Sequence, residues 1–66
     1  MNNKLSYRQT EMLWAIVMAG SISGAARLLA ISQPAVSRML AQTEKQLGLT
    51  LFERVRGRLQ PTTQVH

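Results

Sequence analysis

Apolar residues recur at helical spacing over most of this chain and at strand spacing near its end. In the first segment Met12, Leu13, Ile16 and Val17 cover roughly 140° of one face at 100° per residue, the width of a stripe that faces a core. Ser6 and Gln9 have the S-x-x-Q spacing in which each side chain satisfies the other's free backbone N–H, so a helix is expected to open at Ser6 and end at Gly20. Ser23 is the expected cap of a second, short helix carrying Ala25, Ala26, Leu28 and Leu29. Ala30 and Ile31 then form a tight connection to Ser32, the cap of a third helix with Pro34 in its first turn and Gly48 just past its end. Beyond Gly48 the apolar residues Leu49, Leu51, Phe52 and Val55 crowd together, and Arg56-Gly57-Arg58 reads as a turn before Leu59. The expectation is a mainly α fold of three helices followed by a short β-hairpin.

The third helix has two faces of opposite character. Val36, Met39, Leu40, Thr43 and Leu47 fall within about 100° of one another and should point inward. Pro34, Ser37, Arg38, Ala41 and Lys45 share the opposite side, with Gln33 at its edge, and this face is small, polar and positive. An α-helix enters the DNA major groove when its outward residues are small enough for close approach and include donors that reach base edges. Gln pairs bidentately with adenine and Arg with guanine, which marks Gln33 and Arg38 as candidate base readers. A solvated helix face is the plainer alternative for such a helix taken alone. Two helices joined by a tight turn, the second one capped, make a helix-turn-helix, in which the N-terminal residues of the second helix meet the bases.

Charge points the same way. Eight lysines and arginines against three acidic residues give a formal +5 on 66 residues, so the expected partner is an anion. Arg54, Arg56 and Arg58 place three guanidinium groups within the candidate hairpin, suited to phosphates or to a narrow minor groove; an exposed, solubilising loop is the alternative. Arg27 and Lys45 are weaker candidates for backbone contact, and Glu44 and Glu53 should turn away from phosphate. Absence of cysteine excludes a zinc finger, a disulfide framework and a thiol nucleophile, and the one histidine, His66, has no partner. No metal or cofactor site is expected. Glu11, Glu44 and Glu53 sit on different elements with no phosphate-cradling loop beside them, which argues against an enzyme. The longest apolar run, Met12 to Ala19, falls far short of the roughly twenty residues a bilayer demands, so a cytoplasmic location is expected.

Four separately placed strings carry a family resemblance: Gly20-Ser21-Ile22-Ser23-Gly24-Ala25-Ala26, Ile31-Ser32-Gln33-Pro34-Ala35-Val36-Ser37-Arg38, Leu47-Gly48 and Leu51-Phe52-Glu53-Arg54. The chain from about Tyr7 to Thr62 resembles the DNA-binding domain of LysR-type transcriptional regulators. That resemblance implies a winged helix-turn-helix that acts as a dimer on an inverted-repeat operator. It implies base contacts at Gln33, Pro34, Ser37 and Arg38, contacts from Ser23 and Ala26 on the scaffold helix, and a wing contact from Arg54. Leu28 departs from a commonly polar position and Thr43 from a usual leucine, while Thr62-Thr63-Gln64-Val65 replaces the usual Thr-Glu-Ala-Gly. Residues 1–61 are thus expected to form the DNA-binding domain and residues 62–66 the start of a linker helix, with Thr62 as its cap. Family members are several times longer, so any small-molecule effector would act through a C-terminal domain outside this sequence.

One stripe goes beyond the family signature. Tyr7, Trp14 and Met18 lie within about 40° of each other, away from the Met12 and Ile16 face. They are candidates for contact with a linker helix or a second subunit; the alternative is that Trp14 folds over the edge of the domain's own core. Other functional classes are a protein-interaction module anchored on Trp14 and the methionines, charge-only architectural DNA binding, and a transposase-type helix-turn-helix.

Overall fold

Three serines start the three helices of a computed structural model of the chain, which describes residues 4–62. Helix α1 (Tyr7–Ala19) opens on the expected capping box: the Gln9 N–H donates to Ser6 Oγ at 3.1 Å, and the Ser6 N–H donates to Gln9 Oε1 at 2.9 Å. Helix α2 (Ile22–Leu29) is capped by Ser21 rather than by Ser23. Ser21 has extended backbone angles and accepts from the Gly24 N–H at 3.0 Å, which leaves Ser23 inside the first turn. Helix α3 (Gln33–Leu47) is capped by Ser32, which accepts from the Ala35 N–H at 3.2 Å, with Pro34 in the first turn as expected. Each helix stops on a residue in the left-handed region, Gly20 at φ 73, Ala30 at φ 58 and Gly48 at φ 72.

The hairpin pairs strand β1 (Phe52–Val55) antiparallel with strand β2 (Arg58–Pro61), so that Val55 faces Arg58 and Phe52 faces Pro61. Arg56 and Gly57 form a two-residue turn with φ 54 and 80, the doubly left-handed geometry that matches the twist of a hairpin. The base is closed by Thr62, whose hydroxyl donates to the Thr50 carbonyl at 2.7 Å and whose N–H donates to the Leu51 carbonyl at 2.9 Å. Residues 63–66, most of the expected linker start, lie outside the described residues.

A small core holds these elements together. Met12, Ala15 and Ile16 from α1, Ala25 and Ala26 from α2, Val36 from α3 and Phe52 from β1 are buried. Full burial of a side chain such as Ile16 contributes about 1.5–3 kcal/mol, so these few residues carry much of the fold's stability. Val17 departs from the expected inward stripe: it is 51% exposed, because Ala15 on the other flank of Ile16 packs inward and the buried arc centres on Met12 and Ile16. On α3 the expected face is the inner one, with Val36 and Thr43 fully buried and Met39 and Leu40 packed against the core. Three helices with a hairpin docked on α1 make a winged helix-turn-helix.

Candidate nucleic-acid interface

With α3 fixed by its inner face, its outer face is left to solvent. Gln33, Pro34, Ser37, Arg38, Ala41 and Lys45 are all exposed. Gln33 and Pro34 occupy the first turn, directly after the Ser32 cap, and Ser37 and Arg38 follow one turn later. A short connection, Ala30 to Ser32, separates this helix from α2. The arrangement presents a narrow polar ridge at the N-terminal half of α3, and its donors suit base edges.

Scaffold helix and wing contribute unequally. Ser23 is exposed in the first turn of α2. Ala26, expected to touch DNA, does not offer its side chain: it is 5% exposed, its methyl belongs to the core, and its carbonyl accepts from the Ile31 N–H at 3.0 Å. Arg54, Arg56 and Arg58 are exposed, but the register separates them. Strand side chains alternate, so Arg54 and Arg58 leave opposite faces of the hairpin while Arg56 stands at its tip. Glu44 is turned to internal use, accepting from the Leu51 N–H at 2.8 Å, and Glu53 is exposed on the face opposite Arg54.

The family model for the bacterial regulatory helix-turn-helix proteins of the lysR family matches residues 7–65. The chain belongs to the LysR family. Among relatives, the transcriptional activator protein LysR of Escherichia coli (strain K12) is 57% identical over 60 residues, 91% of this chain and 19% of that protein. The transcriptional regulator DgcR of a Pseudoalteromonas species is 54% identical over 55 residues, 83% of this chain and 19% of that protein. The chain therefore spans about a fifth of the length of these relatives. Among solved structures, the BenM DNA-binding domain in complex with catB site 1 DNA matches with a TM-score of 0.84 at 32% identity, covering 91% of this chain and 67% of that one. The CbnR DNA-binding domain in complex with DNA matches with a TM-score of 0.82, also at 32% identity, covering 91% and 69%.

Within this LysR-family domain, one structural group escaped sequence reasoning. Gln9, read only as half of a capping box, also donates from Nε2 to Thr43 Oγ1 and to Gln46 Oε1, both at 3.0 Å. Thr43 passes its own hydroxyl hydrogen to the Met39 carbonyl at 2.8 Å, so the buried threonine is satisfied. This cluster ties the start of α1 to the second half of α3. The available signal was Thr43 itself, a polar residue on an otherwise apolar face, which demands a polar partner once buried.

Proposed function

We propose that this chain is the sequence-specific DNA-binding part of a bacterial LysR-type transcriptional regulator and has no catalytic role. The carrying observation is that α3 buries its apolar face while every residue of its Gln33, Pro34, Ser37 and Arg38 face stays exposed. Gln33 and Arg38 read bases in the major groove, Pro34 and Ser37 permit close approach, and Ser23 meets the phosphate backbone. Arg54 and Arg56 reach the backbone or the adjacent minor groove. Two chains act on the two halves of an inverted repeat, with the exposed Tyr7, Trp14 and Met18 face turned to a linker helix or to the other subunit. The full-length regulator works in the cytoplasm, and any small-molecule effector acts through parts beyond this domain. Support for DNA as the partner comes from the net positive charge and from family neighbours solved on DNA.

An anisotropy titration at two salt concentrations tests the reading, using duplexes that carry an inverted repeat of the family's type, one half-site, or a scrambled sequence. Tighter binding to the repeat, with two chains per duplex, is expected. Gln33→Ala should weaken the preferred site by about 1–3 kcal/mol, while Arg54→Ala should weaken all three duplexes alike and lower the salt slope by about one. Equal, salt-sensitive affinity for all three duplexes would reduce the function to charge-driven, non-specific binding.

A further inference from the structure

Helix α1 ends without a cation of its own. Its last turn holds no basic residue, although the unpaired carbonyls at a helix C-terminus gather roughly half a negative charge. The next residue, Gly20, is buried in the left-handed conformation, with its N–H donating to the Ile16 carbonyl at 2.7 Å. A methyl group placed on Gly20 would collide with Nη2 and Cζ of the Arg58 guanidinium. The guanidinium thus fills the space that any side chain at this position would take. One residue further along β2, the Leu59 N–H donates to the Gly20 carbonyl at 2.9 Å. Two successive wing residues therefore meet the same glycine, Arg58 by the nearness of its exposed guanidinium and Leu59 through a backbone hydrogen bond.

We propose that Arg58 is a positioning residue of the wing and not one of its DNA clamps. Its guanidinium, held against Gly20 at the C-terminal end of α1, supplies the cation that α1 lacks and sets the angle between the hairpin and the helix-turn-helix. Arg54, on the other face of the hairpin, and Arg56, at its tip, are left to meet DNA. The proposal rests on the DNA-binding reading for what the wing is positioned to do, whereas the hold on Gly20 is a property of the free chain.

Amide hydrogen exchange on the full 66-residue chain without DNA reads that hold directly. Arg58→Ala should lower protection of the Leu59 amide by about tenfold, Arg56→Ala at the hairpin tip should leave it unchanged, and Arg58→Lys should restore part of it. Gly20→Ala evicts the guanidinium and adds backbone strain, but that strain is present whichever residue occupies position 58. Its effect on the unfolding constant should therefore shrink by about threefold or more in the Arg58→Ala background. On DNA, Arg58→Ala should weaken binding with the salt slope nearly unchanged, in contrast to the drop of about one for Arg54→Ala. Unaltered Leu59 protection in Arg58→Ala, or strictly additive effects of the two substitutions, would overturn the proposal. So would a slope lowered by about one with Leu59 protection intact. If the parent chain failed to bind DNA at all, the DNA-binding reading would fall, and the exchange and coupling measurements would still decide the role of Arg58.

Discussion

Arg56 stands where the backbone would prefer another residue. Its φ of 54 lies in the left-handed region, which disfavours side chains with a Cβ by roughly 1–2 kcal/mol and which Asn or Gly tolerates best at the first position of such a turn. An arginine in a strained conformation at the tip of a basic hairpin fits the proposed contact of Arg56 with the DNA backbone or minor groove. Arg56→Asn should therefore raise stability by up to about 1 kcal/mol, read as a higher denaturant midpoint, and at the same time lower the salt slope of DNA binding by about one. A variant that gained stability and kept the full slope would show that Arg56 has no contact with phosphate. Thr43 presents the opposite case, a polar residue retained in the core by its partners. Thr43→Val keeps the volume but removes both the acceptor for Gln9 Nε2, which still has Gln46 Oε1, and the hydroxyl that donates to the Met39 carbonyl. The expected cost is about 1–2 kcal/mol, two neutral hydrogen bonds, because Gln9 Nε2 keeps its other acceptor. A loss of several kcal/mol in equilibrium unfolding would mean that Gln46 does not hold Gln9 alone.

At the level of elements, the α3 N-terminus joins folding to the proposed base reading. Ser32 satisfies the Ala35 N–H, and the first helical turn it secures contains Gln33 and Pro34. Ser32→Ala should cost about 1 kcal/mol of stability. It should also weaken the inverted repeat more than a scrambled duplex, since fraying misplaces the base-reading turn while the wing's charge is untouched. Equal weakening on both duplexes would place base recognition further along the helix. The boundaries of this helix were legible because each has a residue type with a mechanism: Ser as cap, Pro in the first turn, Gly in the left-handed position after Leu47. The α2 start was misplaced by two residues because Ser21 and Ser23 are both competent caps, and only the backbone conformation chooses between them. Its end, Ala30 at φ 58, carried no glycine signal at all. The exposed and buried faces of α3 were legible from helical periodicity, which separates them. Ala26 was not, since a small residue suits a DNA contact and a helix crossing equally well, and its burial depends on how α1 lies over α2. Pairing between Arg58 and Gly20 could not be read either, because it joins residues far apart in sequence and depends on which face of the hairpin each arginine takes.

For the molecule as a whole, the surface of α1 decides what else this domain meets. Tyr7 is 81% exposed, Trp14 54%, Val17 51% and Met18 61%, so a broad apolar band runs along the side of α1 away from the core. Val17 joins this band because it does not face inward, and with Leu13 it borders an apolar groove that also takes in Phe52 and Pro61. This groove reaches Thr62, the last described residue before the expected linker helix. Covering the open half of Trp14 alone should contribute on the order of 1–2 kcal/mol to an assembly. Trp14→Ala should then weaken the pairing of two chains on an inverted repeat by roughly tenfold while leaving affinity for a single half-site unchanged, because no DNA contact is lost. Fluorescence checks the same point independently: Trp14 emission from the unpaired chain should be accessible to an aqueous quencher, and protection should appear when two chains occupy one duplex. A protected Trp14 in a chain shown by sedimentation to be monomeric would assign the residue to the edge of the domain's own core. Equal losses of Trp14→Ala on half-site and repeat would lead to the same conclusion from the binding side.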